Sequence, residues 1–118
     1  YVAAEAAYDG ICGVLKEGVT GEEIVAASSA IEDAGFTTCD DLVHGYGGGY
    51  LPPIVGSASR PAGPIPDMTL TAGMMIVVQP NVVSQDGKAG VQTGECLLIT
   101  KDGWESIHKF PTGLRRIG

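Results

Sequence analysis

Val43-His44-Gly45-Tyr46-Gly47-Gly48-Gly49-Tyr50-Leu51-Pro52-Pro53 crowds four glycines behind one imidazole and closes on two prolines. Glycine lets backbone pass close to another backbone or to a ligand, and tolerates positive φ. Proline fixes φ and removes a donor. Such a segment is a shaped loop beside a strand, and the histidine at its start is aimed at a partner. Two later positions, Gln79 and Glu95, can be brought to the same place.

Upstream of this loop, Tyr1 to Glu17 is rich in alanine and carries Val2, Ala6, Cys12 or Gly13, and Leu15 on roughly helical spacing. This predicts a helix ending at Gly18. Gly10 and Gly13 would weaken it by about 1 kcal/mol each relative to alanine, so close helix packing is expected there. Thr20 and Glu23 have the spacing of a capping box, with Val19 as its staple residue. Ile24, Ala27, Ser28, Ile31 and Ala34 then mark one apolar face of a second helix, which Gly35 ends. Phe36 to Val43 reads as a short strand leading into the loop.

Downstream, residues 52–67 hold five of the seven prolines, which predicts a long irregular segment. Met74–Val83 and Val91–Thr100 read as strands, with Pro80 interrupting the first. Asp102-Gly103 is a tight turn signal, and Trp104 to Phe110 reads as a final edge strand.

A chain of 118 residues, 44% hydrophobic and 18% charged, fits one folded domain and not a disordered segment. A formal charge of -7 argues against a nucleic-acid surface, which needs Lys and Arg for phosphate. No apolar run approaches the ~20 residues of a membrane span. Cys12, Cys39 and Cys96 are odd in number and widely spaced, so they form no disulfide framework. Reduced, inert thiols in a cytoplasmic protein are expected. The chain starts directly in a helix pattern without Met, so it is expected to be a piece of something longer.

If the two long strands form a hairpin with a three-residue loop at Asp86-Gly87-Lys88, Gln79 faces Glu95. Directly opposed side chains share a sheet face with Cβ atoms ~5 Å apart. A one-residue slip would separate them. A carboxylate in so apolar a strand needs a metal, a cation or hydrogen bonds. Alternatives stay open for each residue. His44 can be satisfied by backbone carbonyls, and Gln79 can be a hydrogen-bonding strand end. Glu95 can pair with Lys88, Lys101 or an arginine. Tyr46 and Tyr50 can line a pocket or only pack, and Arg60 can bind a substrate carboxylate or stay solvated. Asp40-Asp41 reads as a turn.

In order, Lys16-Glu17-Gly18-Val19-Thr20, His44-Gly45-Tyr46-Gly47, Leu70-Thr71-Ala72-Gly73-Met74, Gln79-Pro80-Asn81 and the Glu95 strand ending in Thr100-Lys101-Asp102-Gly103 resemble the C-terminal half of the pita-bread hydrolases. These include methionine aminopeptidase, aminopeptidase P, prolidase and creatinase. The resemblance implies an α+β fold, half of a pita-bread domain, with two helices packed on a curved, mainly antiparallel sheet. It implies a hydrolase acting on a C–N bond in a small peptide, amide or guanidino compound, with Mn, Co or Zn in the full-length parent. His44, Gln79 and Glu95 fall at metal-ligand positions, with His44 catalytic and Tyr46, Tyr50 and Arg60 candidate substrate contacts. The family's two Asp ligands would precede this chain. Gln79 stands where the family has Glu, Leu51 where it has a second histidine, and Pro52 where it has Glu. An amide weakens a site for hard cations. The isolated chain is therefore expected to be inactive, with metal absent or weakly bound. A non-catalytic binding module, or a metal-free relative, is the competing expectation. Self-association, or pairing with the missing half, is expected at an open sheet edge.

Overall fold

The computed structural model describes residues Tyr1–Gly118. Helix α1 (Val2–Val14) buries Ala3, Ala4, Ala7 and Ile11, and the three alanines let it lie close to its neighbours. At Gly10 a Cβ would fall on the Ala27 carbonyl oxygen, so the expected close packing is real at that position. Gly13 has open space around it and no such reason. The capping box forms as expected: Glu23 N–H donates to Thr20 Oγ1 at 3.3 Å, and Thr20 N–H donates to Glu23 Oε2 at 2.8 Å.

The expected second helix is two pieces, α2 (Gly21–Ala27) and α3 (Ala30–Asp33). Ser28 Oγ donates to the Val25 carbonyl at 2.8 Å. Such a local bond offers the backbone an alternative to helix continuation, and the axis breaks there. Gly35, at φ +79, closes the segment.

Eight strands follow: β1 (Thr37–Thr38), β2 (Val43–Tyr46), β3 (Tyr50–Val55), β4 (Met75–Val78), β5 (Asn81–Val83), β6 (Gly90–Gln92), β7 (Glu95–Ile99) and β8 (Trp104–Ser106). They form a five-stranded sheet in the order β3-β2-β4-β7-β8 and a three-stranded sheet in the order β1-β5-β6. Every pairing is antiparallel. The expected Phe36–Val43 strand shrinks to β1 plus a bend. The irregular segment starts after β3 rather than at Pro52, and the final strand stops at Ser106.

The long hairpin exists, with a different register. Val78, not Gln79, opposes Glu95, and Val83 opposes Gly90. The cause is the turn. Asp86 Oδ1 accepts from Ser84 Oγ at 2.6 Å and from Lys88 N–H at 3.1 Å, and Ser84 N–H donates to the Ala89 carbonyl at 2.8 Å. These bonds close a four-residue turn between Ser84 and Ala89, so every partner moves by one. At Gln79-Pro80 the arm passes from one sheet to the other, where proline has no N–H for the ladder.

The core joins Ala4, Ile11, Leu15, Ile24 and Ile31 from the helical side to Val43, Ile76, Val78, Leu97 and Ile99 from the sheet. Successive side chains alternate across a strand. One face of the five-stranded sheet therefore carries Val43, Ile76, Val78, Leu97 and Ile99 beneath the helices. The other carries His44, Met75, Val77, Cys96 and Leu98 and is open. The architecture is α+β, with helices on one face of an antiparallel sheet, as expected.

Candidate functional site

His44 lies on the open face in register with Val77, which is in register with Cys96. Between β2 and β3 the register shifts after His44: His44 pairs with Ile54, but Gly45 pairs with Leu51 and Tyr46 with Tyr50. The extra residues bulge out of β3 and pull Tyr50 toward the histidine. Gly45 permits this, because a Cβ there would fall on the Pro52 carbonyl oxygen.

The imidazole is 7% exposed and has a defined tautomer. His44 Nδ1 lies 2.8 Å from the Gly45 carbonyl oxygen. A carbonyl only accepts, so Nδ1 carries a hydrogen, and in the neutral ring the lone pair is then on Nε2. The Tyr50 ring packs on the imidazole at a centroid distance of 4.2 Å. Tyr50 Oη donates to Asp41 Oδ1 at 2.7 Å. Desolvation and that bond push the Tyr50 phenol up to about 12. Tyr46 and Tyr50 are exposed on the same face as His44.

Gln79 and Glu95 do not join His44 as a ligand set. Gln79 Oε1 accepts from Gln92 Nε2 at 3.2 Å, an amide pair at a strand end. Glu95, in register with Val78, sends its carboxylate to the helix-covered face. There Oε2 accepts from Tyr8 Oη at 2.7 Å and Oε1 accepts from Ser106 Oγ at 3.1 Å. No lysine or arginine pairs with it; the chain's one ion pair joins Lys88 to Asp86. Arg60 donates to the Thr38 carbonyl at 3.3 Å and its N–H to Ser57 Oγ at 3.2 Å, so it braces the proline-rich loop.

The next residue of β7, Cys96, points to the open face beside Val77, and burial pushes its thiol up. An open cavity of about 440 Å³ lies beside it, walled by Val77, Gln79, Gln92, Thr93, Glu95 and His108. His108 Nε2 accepts from the Cys96 N–H at 3.0 Å. Beside the Glu95 carboxylate, which already accepts from Tyr8 and Ser106, this wall offers uncharged amide and hydroxyl groups and one imidazole. Divalent cations of the hard class want several carboxylate oxygens. The open face offers His44, a carboxamide and a thiol, and no three His, Cys, Asp or Glu residues cluster closely enough to hold a metal. The residues of this chain do not fit a divalent-metal centre of their own.

Two residues of the network escaped the sequence reading. Asp41 reads in the sequence as part of a turn, and nothing local announces its burial. Tyr8 could have been found: it shares a helix face with Ala4, Ile11 and Leu15, the face that meets the sheet.

The model of metallopeptidase family M24 matches residues 1–101. The chain belongs to metallopeptidase family M24. No curated protein matches it significantly. Among solved structures it is similar to the prolidase from Pyrococcus furiosus, with TM-score 0.77 and 22% identity over 95% of this chain and 32% of that one. The Xaa-Pro dipeptidase from Bacillus anthracis gives TM-score 0.75 and 28% identity over 97% of this chain and 31% of that one. The methionine aminopeptidase from Rickettsia prowazekii gives TM-score 0.69 and 21% identity over 89% of this chain and 49% of that one. This M24 chain thus spans 31% to 49% of these relatives' chains, and its α+β architecture is half of their pita-bread fold. No helix in it is long and apolar enough to cross a membrane.

Proposed function

We propose that the M24 protein to which this chain belongs takes a small peptide or amide on the open face around His44, and that this half of its pocket works without a two-metal centre. The observation that carries this is the division of labour between His44 and Glu95. The imidazole lies beside two exposed tyrosines with Nδ1 held by the Gly45 carbonyl, while the Glu95 carboxylate, at the border of the neighbouring cavity, accepts from Tyr8 and Ser106. Neutral Nε2 is a hydrogen-bond acceptor for a substrate N–H or a general base for an attacking water. In a hydrolytic role, His44 removes the proton of a water that attacks the substrate carbonyl, then returns it to the leaving nitrogen as the C–N bond breaks, giving a carboxylate and an amine. Tyr46 and Tyr50 give the substrate an aromatic wall.

A non-catalytic binding role is the second reading, favoured by Leu51 and Pro52, which carry no proton donor beside the loop. In either role the isolated chain turns over no Xaa-Pro dipeptide, because it spans a third of a prolidase-like chain. We place the protein in the cytoplasm on its unpaired cysteines. Strands β3 and β8 are sheet edges, where another copy or the rest of the domain would pair.

The test is an assay of the full-length protein on Xaa-Pro dipeptides, small amides and guanidino compounds, with and without a chelator. Chelator-insensitive turnover, or binding without turnover, is expected, and His44→Gln should abolish either. Turnover that a chelator removes and Mn, Co or Zn restores would sink the proposal.

A further inference from the structure

Asp41 is 3% exposed. Its Oδ1 accepts from Tyr50 Oη at 2.7 Å, and its Oδ2 is buried without a partner. Its backbone N–H donates to Asp40 Oδ1 at 2.9 Å. A buried carboxyl with one oxygen unsatisfied is costly and needs a compensating role. Its one side-chain partner is Tyr50, a residue 53% exposed whose ring packs on His44 at 4.2 Å. An exposed tyrosine that is free at its hydroxyl would sample several rotamers. Tied at the hydroxyl, it has one.

We propose that Asp41 is a positioning residue: through the Tyr50 hydroxyl its buried carboxyl fixes the phenol ring against His44 and so holds the imidazole in a single orientation on the open face. Two constraints then act on the ring of His44. The Gly45 carbonyl sets the tautomer from the Nδ1 side. The Asp41-anchored phenol sets the ring plane. The bulge after His44 is part of the device, since it brings Tyr50 opposite Tyr46 and within reach of both Asp41 and His44. Freeing the phenol lets the imidazole rotate, and the Nε2 lone pair loses its fixed direction. This deepens the peptide-or-amide reading and rests on His44 being its working group.

The experiment is proton NMR of the full-length protein, with the His44 ring signals assigned by their loss in His44→Gln. A phenol face 4.2 Å away shifts these protons by its ring current. Tyr50→Phe keeps the ring and removes only the hydroxyl of an exposed residue. Its His44 signals should move toward random-coil positions, as in Tyr50→Leu. Asp41→Ala should do the same, and Asp41→Asn, whose amide oxygen still accepts, should restore most of the wild-type shift. Unchanged His44 shifts in Tyr50→Phe would overturn the inference, whether or not Asp41→Ala folds. The readout needs neither substrate nor metal, so its failure is distinct from failure of the functional proposal.

Discussion

Tyr8 Oη donates to Glu95 Oε2 at 2.7 Å and ties α1 to β7 from the face opposite His44. Ser106 Oγ of β8 takes the other oxygen at 3.1 Å. Burial, with the bond to Glu95, drives the Tyr8 phenol far above its ordinary range. The same pocket of helix and strand pushes the Cys12 thiol up to about 11, chiefly by burial. Glu95 is therefore a joint between helix and sheet. A residue with the sequence context of a ligand has a structural duty.

Glu95→Ala should destabilise the fold by about 1–3 kcal/mol, the range for losing hydrogen bonds to a charged acceptor. Glu95→Gln, which keeps an acceptor for Tyr8, should lose less. Urea unfolding of the full-length protein measures both. Equal stability of all three proteins would show the joint to be idle.

Gly45→Ala should be destabilising, since Gly45 is a buried residue of β2. The added Cβ would fall on the Pro52 carbonyl oxygen, and Gly94→Ala would meet the Val78 carbonyl in the same way. Backbone cannot yield as a side-chain tip can, and overpacking of this kind costs about 1–3 kcal/mol. Gly49→Ala, with open space around it, should be near neutral. Thermal melts of the three variants check the ranking.

Stability should carry a pH signature from Asp41. Burial raises its carboxyl above the ordinary value, against the weaker lowering effect of the Tyr50 bond. Folded Asp41 then holds a proton that the unfolded chain has released, so its contribution is full below about pH 4 and is lost as pH rises through the folded value. Asp86, exposed and held low by Ser84, runs the other way. Comparison with Asp41→Asn cancels that background. The wild type should gain on Asp41→Asn as pH falls from 7 to 4, read from urea midpoints, and parallel curves would contradict this.

Much of the architecture was legible because local chemistry wrote it. The Thr20–Glu23 box, the Gly35 stop and the Asp102-Gly103 turn are each set by a few neighbouring residues. The register of the hairpin was not. It depends on whether three or four residues close the turn, and Asp86, by accepting from both Ser84 and Lys88, selects four. That one residue of difference sends Glu95 to the helices. His44 and the two tyrosines were readable from the glycine loop, since alternation along β2 and the bulge in β3 keep them on one face. Arg60 was misleading because its partner, the Thr38 carbonyl, is distant in sequence. Asp41 was invisible because burial is a tertiary property.

Gln79→Glu restores a carboxylate at the strand end and leaves Glu95 where it is. It should therefore not by itself raise the metal content of the full-length protein. Elemental analysis of both proteins after excess Mn checks this, and a gain of a full equivalent would show the face to be closer to a metal site than its donors suggest.

The central claim is that His44 has no carboxylate partner for a metal, because Glu95, which borders the cavity beside Gln79, is held by Tyr8 and Ser106. Metal stoichiometry tests it most directly, measured by elemental analysis on the full-length protein after equilibration with Mn, Co or Zn and removal of free ion. The expected result is well below one equivalent per chain, unchanged by Glu95→Gln. Two equivalents per chain, lost on substituting Glu95, would contradict it.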